Sequence, residues 1–196
     1  MATRQRGRPR SFDRDEALRQ ATLAFWEHGY EATSIAGLTK VMGIGAPSLY
    51  AAFGDKKALF AEVVEAYTTS WGIFAGQALA EETTARAAIG RMLREAAHEY
   101  TDPSHPRGCL VIRAAVNCAA PEVGAALRER RNATLAAFES RIRADVATGG
   151  LPGDTDAPAL ARYCGVVLQG MSQQACDGAT EEELARTAEI AMRAWP

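Results

Sequence analysis

The residues with the clearest chemical meaning lie between positions 33 and 57. Thr33 and Ser34 precede an apolar-periodic stretch that runs to Met42 and stops at Gly43. Hydroxyls at that position cap a helix, and the amides of a helix N-terminus bind phosphate. Gly43, Ile44 and Gly45 make a tight connection, and Pro47 suits the first turn of a second short helix through Leu49, Tyr50 and Phe53 to Gly54. Two short helices across such a turn predict a helix-turn-helix. The first helix then crosses a DNA backbone, and the second enters a major groove about 12 Å wide. Ala46, Pro47, Ser48, Tyr50 and Ala51 are the groove-facing candidates, while Leu49 and Phe53 turn inward. Lys56 and Lys57 open the next helix, where the macrodipole mildly disfavours cations. Neutralising phosphates is a reason to place them there. Arg4, Arg6, Arg8 and Arg10 form a basic arm that either threads a minor groove and binds phosphates or is a solvated tail.

Other chemistries have little support. There is no G-x-S-x-G, no phosphate-cradling glycine loop and no carboxylate pair of evident purpose, so the chain does not read as an enzyme. Cys109, Cys118, Cys164 and Cys176 form no C-x-x-C pair, and with His98 and His105 they match no metal-site spacing. They read as structural thiols, with a thiol redox sensor as the alternative. No metal and no cofactor is implied.

The elements that must position these residues are all helical, because apolar residues recur at three and four and hardly ever at two. A first helix starts near Asp13, carries Leu18, Ala21 and Phe25 on its inner face, and stops at Gly29. Asp55 caps a long helix whose Phe60, Val63, Val64, Tyr67, Trp71 and Phe74 form one continuous stripe. Further helices are predicted over about 84–101, over the apolar run 109–118, from Pro121 through Val146, and over about 156–177 and 180–194. At 196 residues with 47% hydrophobic and 23% charged side chains, the chain is an ordinary globular protein. No apolar run is long enough to span a membrane and no secretory signal is visible, so the default location is the cytoplasm. Net charge is −2, but residues 1–60 hold nine Lys/Arg against six Asp/Glu, and the remainder holds thirteen against eighteen. That asymmetry puts a polyanion partner at the N-terminal end.

Over residues 8–60 the sequence RPRSFDRDEALRQATLAFWEHGYEATSIAGLTKVMGIGAPSLYAAFGDKKALF resembles the DNA-binding domain of the TetR family of bacterial transcriptional regulators. The G-Y-E-A-T-S-I step, the M-G-I turn, S-L-Y-x-x-F and K-x-x-L-F carry the likeness. R-G-C-L-V at 107–111 is similar to a segment in a subset of these regulators. Gly45, Ala46 and Pro47 depart from it, standing where members often have a small polar residue, a basic one and glycine. The recognition helix is therefore poor in hydrogen-bonding side chains.

The resemblance implies an arm and helix-turn-helix domain over 1–54 and a helical effector-binding and dimerisation domain over 55–196. It implies a repressor that leaves a palindromic operator when a small apolar or aromatic effector binds. Candidate pocket residues are Trp71, Phe74, Met92, Tyr100, Phe138 and Tyr163. Arg113, Asn117 and Arg131 interrupt apolar faces and could meet an anionic or hydrogen-bonding group, or else reach solvent or a carboxylate. A homodimer is expected through the last two helices, along the seams Leu160, Cys164, Val167, Met171 and Leu184, Ala188, Ala191, Trp195. Asp55 to Phe74 would make about 28 Å of rigid helix, the route by which an effector moves the reading head.

Overall fold

The computed structural model describes residues 12–115 and 118–196, and every regular element among them is a helix. The order is α1 (Arg14–Ala32), α2 (Ile35–Met42), α3 (Ala46–Phe53), α4 (Lys56–Thr68) and α5 (Ile73–Glu81). After them come α6 (Ala85–Glu99), α7 (Leu110–Arg113), α8 (Pro121–Ala147), α9 (Ala157–Cys176) and α10 (Glu181–Arg193). The arm with Arg8 and Arg10, and Asn117, lie outside the described residues.

Local chemistry sets the early boundaries. The Asp13 carboxylate accepts from the amides of Asp15 at 3.0 Å and Glu16 at 3.2 Å, which starts α1. Gly29 breaks the helix as expected, at φ 75°, and a short helical turn to Ala32 follows the kink. Ser34 caps α2 by accepting from Gly37 N–H, and Gly43 closes it in the left-handed region at φ 65°.

The long fourth helix is not continuous. It ends at Thr68, and α5 begins at Ile73 after a turn. Thr68, Thr69 and Ser70 donate their hydroxyls back to the carbonyls of Glu65 and Ala66, and Gly72 N–H reaches Tyr67 O at 2.8 Å. A run of hydroxyl residues offers the backbone alternative partners, and the ladder breaks there. Among the described residues of the apolar run 109–118 only Leu110–Arg113 are helical, a shorter helix than expected. A continuous apolar run cannot distinguish a buried helix from other buried chain. The connection onward is held by tertiary contact, with Ala120 N–H donating to Glu31 Oε1 at 2.9 Å.

Two apolar clusters result. One joins α1–α4 to α7 and the start of α8, with Phe25, Trp26, Leu38, Leu49, Leu59 and Leu127 almost fully buried. It does not stop at residue 54, because Leu110, Val123 and Leu127 belong to it. The other unites α5, α6, α8, α9 and α10 around Ile89, Leu93, Phe138, Ile142 and Met171. Asp145 on α8 is buried there, and its Oδ2 accepts from Ala85 N–H at 2.6 Å, serving the first turn of α6 from another helix. Asp145→Ala leaves that amide without a partner and should cost about 1–3 kcal/mol. Asp145→Asn, which keeps an acceptor oxygen, should lose much less. Urea midpoints of the two variants check this.

Candidate nucleic-acid interface and effector cavity

The head is organised by what α3 hides. Leu49 and Phe53 are buried, while Pro47 and Ala51 are exposed, Ala46 and Ser48 are half-buried, and Tyr50 is 51% exposed. A tyrosine so placed on an eight-residue helix points its phenol outward. Arg14 fixes α3 against α4 by pairing with Glu62 at 2.6 Å and lying 4.3 Å over the Phe53 ring. Of the two candidate hydroxyls, Ser34 is exposed at the start of α2. Thr33 is buried and donates to Gly29 O at 2.7 Å, so its hydroxyl serves the end of α1. Lys56 lies 4.3 Å over the Tyr30 ring, with its ammonium 3.5 Å from Glu31 O. Lys57 pairs with Glu122 of α8 at 2.5 Å, and both partners are exposed. An exposed pair is worth about 0–1 kcal/mol and yields readily to a phosphate.

Behind the head lies a cavity of about 110 Å³. Phe74, Tyr100, Phe138, Leu135 and Leu168 give it apolar walls, and Arg131 also contributes. The cavity therefore brings together Phe74, Tyr100, Arg131 and Phe138 of the residues named from sequence. It leaves others out. Met92 is buried in the second cluster, and Tyr163 lies on the outer side of α9 with its hydroxyl donating to Ala191 O at 3.2 Å. Trp71 packs edge-on against Trp26, because the break after Thr68 turns it away from Phe74. Arg113 donates to Arg107 O and to Glu27 O, each at 3.1 Å, tying α7 to α1. Periodicity did not mark Tyr67 and Cys109 as cavity residues; both border it, and the two tyrosine hydroxyls face the Cys109 thiol.

Comparison with known proteins decides what this assembly is. Residues 17–63 match the model for bacterial regulatory proteins of the tetR family. Over 199 aligned residues the chain is 34% identical to the HTH-type transcriptional repressor ComR of Escherichia coli (strain K12), covering 98% of this chain and 93% of that one. A cysteine mutant of the TetR family transcriptional regulator CifR, complexed with 26-bp double-strand operator DNA, superimposes with a TM-score of 0.90. It is 42% identical over 96% of this chain and 100% of that one. The chain belongs to the TetR family. The HTH-type transcriptional repressor BdcR of Escherichia coli (strain K12) is also similar, 28% identical over 94% of this chain and 90% of its own. The chain is thus a TetR-type transcriptional regulator, and no helix among its described residues is long and apolar enough to cross a membrane.

In this family member the segment Arg107–Cys109 joins three parts of the fold. Arg107 donates to Ala175 O at 2.7 Å and to Ala179 O, closing the C-terminus of α9. Gly108 has φ 76°, and a Cβ there would stand 2.8 Å from both Cys176 Sγ and Ser172 O, so only glycine fits. Its carbonyl accepts from Trp26 Nε1 at 3.1 Å, and Cys109 N–H donates to Ser172 Oγ at 2.9 Å. The spelling R-G-C was visible in the sequence; the three partners it needs were not.

Three of the four thiols are held in the protonated form by burial. Burial pushes Cys109 and Cys176 up, and Cys164 up to about 12, so all three stay protonated at neutral pH. The dimer seams also require correction. Cys164, Met171, Leu184, Ala188, Ala191 and Trp195 are buried inside one chain, and Leu160 and Val167 pack against the same core. Helices α9 and α10 lie on α6 and α8, so their most regular stripes face the protomer's own interior. Their outward face carries Tyr163, Val166 and Ile190, with Val166 61% and Ile190 63% exposed, and Gly170 beside them.

His105 is a buried titratable group packed against the junction. Its side chain is 1% exposed and stacks on Trp26 at 4.5 Å. Nδ1 lies 3.1 Å from Pro106 O and Nε2 3.1 Å from Glu99 Oε1. Pro106 O is a hydrogen-bond partner of Nδ1, and Nε2 faces the Glu99 carboxylate without an aligned hydrogen bond, an arrangement that favours the charged ring. Burial opposes the charge, but Glu99, Pro106 O and Asp102 outweigh it and raise the pKa above 6.5. A raised folded pKa gives stability that is complete below 6.5 and lost as pH climbs through the folded value. His105→Gln should remove that part of the pH dependence. Thermal midpoints measured from pH 6 to pH 9 on both proteins test it, and parallel curves would contradict it.

Proposed function

We propose that this chain is a repressor that reads a palindromic operator as a homodimer and releases it when a small molecule fills the cavity behind Tyr67. The observation that carries the DNA-reading part is α3 itself. It buries Leu49 and Phe53 and offers Pro47, Ser48, Tyr50 and Ala51 outward on a helix short enough to seat in a major groove. CifR, complexed with operator DNA in a fold of TM-score 0.90, supports the same reading. Division of labour follows the chain, with residues 1–54 reading DNA and residues 55–196 sensing and dimerising. The place of work is the cytoplasm, where the chromosome lies.

Few side chains on α3 can hydrogen-bond a base edge, so apolar contact, such as Ala51 or Pro47 on a thymine methyl, carries much of the discrimination. Ser34, the amides of α2, Lys56, Lys57 and the arginine arm with Arg8 and Arg10 supply phosphate contacts. Tyr50→Ala should weaken operator binding more than binding to random DNA. Lys56→Ala with Lys57→Ala should weaken both alike and lower the salt slope by about one to two. Fluorescence anisotropy at several salt concentrations separates the two outcomes. An unchanged slope in the lysine variant would remove the start of α4 from the interface.

The dimer forms through the outer face of α9 and α10, where Tyr163, Val166 and Ile190 supply apolar contact and Gly170 permits close helix approach. Two copies related by a two-fold axis match the symmetry of a palindrome. Val166→Asp and Ile190→Asp place charges on positions exposed in the single chain, so folding should persist. Sedimentation should show monomers with unchanged helical content and weakened operator binding. Dimers that survive both substitutions would place the interface elsewhere.

Coupling runs through two contacts on the cavity wall. Tyr67 stands on α4, the helix that begins with Lys56 and Lys57. The chain from Gly108 to Arg113 holds Trp26 and the Glu27 carbonyl of α1. A ligand that favours the DNA-incompetent arrangement tenfold corresponds to about 1.4 kcal/mol per site.

A further inference from the structure

The cavity's wall is charged in one sense only. Among its lining residues are two arginines, Arg130 and Arg131, and no aspartate or glutamate. Arg130 is already served, since it donates to Glu65 Oε2 at 2.7 Å and to the Thr68 hydroxyl at 3.1 Å. Arg131 is not. Its one hydrogen bond among the described residues goes to Val111 O at 3.4 Å, a weak contact to a neutral carbonyl. Every other half-buried arginine described has a closer partner: Arg14 has Glu62, Arg91 has three glutamates, and Arg107, Arg113 and Arg141 hold backbone carbonyls. Burial and the nearby Arg128 charge both oppose protonation at Arg131, and no carboxylate answers them. A guanidinium left in this state gains much from a carboxylate brought by a ligand, because the two forks match in geometry and the apolar walls weaken screening.

We infer that the effector of this cavity is a small monoanionic carboxylate with a compact apolar body, its carboxylate held by Arg131. This inference rests on the sensor reading above and names the ligand class for the same site. Size limits the body. A cavity of about 110 Å³ is somewhat smaller than the roughly 150 Å³ apolar cavity that accepts benzene. One six-membered ring or a short branched chain fills a space of this size, and a long acyl chain exceeds it. Phe74, Phe138, Leu135 and Leu168 take the apolar body. The Tyr67 and Tyr100 hydroxyls and the Cys109 thiol form a second polar point.

The test is a calorimetric titration of the full chain with benzoate, with 3-methylbutanoate, with the neutral isostere benzamide, and with dodecanoate as the long-chain control. Wild type should bind benzoate or 3-methylbutanoate saturably, at least tenfold tighter than benzamide, and should bind dodecanoate more weakly than either short acid. Arg131→Met keeps the apolar stem and loses the charge. It should weaken the short carboxylates at least tenfold and leave benzamide unchanged, so the preference collapses. Its thermal midpoint should not fall, because it breaks only a 3.4 Å contact. Gly165→Ala gives an independent size check. A Cβ there would stand 2.3 Å from Leu135 Cδ2, so the leucine must move, and because it lines the cavity the short acids should bind more weakly. Benzamide binding as tightly as benzoate, a preference that survives in Arg131→Met, or no saturable binding of either short acid at millimolar concentration overturns the inference. Operator affinity measured on the same samples keeps the two readings apart. A carboxylate bound through Arg131 without loss of operator affinity defeats the sensor reading and leaves the anion site standing. Operator release by benzamide that is equal in Arg131→Met defeats the anion site and leaves the sensor.

Discussion

Trp26 has no exposed surface, and its single N–H must find an acceptor inside the protein. It finds the carbonyl of Gly108, 82 positions away in the chain. Tyr67, Trp71 and His105 close around the ring, with His105 stacked on its face and the other two edge-on. One side chain of the head is thus enclosed by the end of α4, the turn that follows it and the loop before α7. The reading helices cannot change their angle to the body without disturbing this contact. That is the physical link between a DNA-reading head and a ligand-holding body.

The same contact explains the glycine at 108. Its carbonyl can meet the indole only if the backbone lies close against α9, where a side chain would collide with Ser172 and Cys176. Arg107 on one side closes the C-terminus of α9, and Cys109 on the other borders the cavity. Three neighbouring residues therefore touch α9, the head and the cavity at once. The rigid fourth helix expected to reach Phe74 is interrupted, and the contacts that join the head to the rest run across the chain. The break after Thr68 uncouples Phe74 from α4 as a rod, while Tyr67 and the 108–113 segment remain in contact with both units.

Charge is distributed with comparable economy. Exposed cations near the head, Lys57 above all, sit in weak surface pairs that a phosphate can displace. Half-buried arginines of the body are spent on carbonyls and carboxylates that fix helix ends. Arg131 stands apart from that pattern, and its position on the cavity wall gives the cavity a chemical preference as well as a shape.

Much of this was legible in the sequence. Turn glycines, cap residues and three-and-four periodicity determined the helical class, the helix-turn-helix and the inward and outward sides of α3, because these are local properties that a few neighbouring residues decide. Asp13, Ser34 and Asp55 cap their helices as their types demand. What only the tertiary structure decided depends on contacts between distant residues. The hydroxyls of residues 68–70 competed successfully for backbone carbonyls once α4 reached the end of its packing partner. Thr33, a cap by type, turned its hydroxyl into α1. The stripes of α9 and α10 were read correctly as apolar, but a stripe records only that it is buried and not against which chain. A protomer's own core and a dimer interface are made of the same residues, and here the core took Met171 and Leu184 and left Val166 and Ile190 outside. Arg131 was marked by its type in an apolar face. Whether it met a carboxylate, solvent or nothing depended on α4, α7 and α8 meeting around it, a fact no local spacing contains.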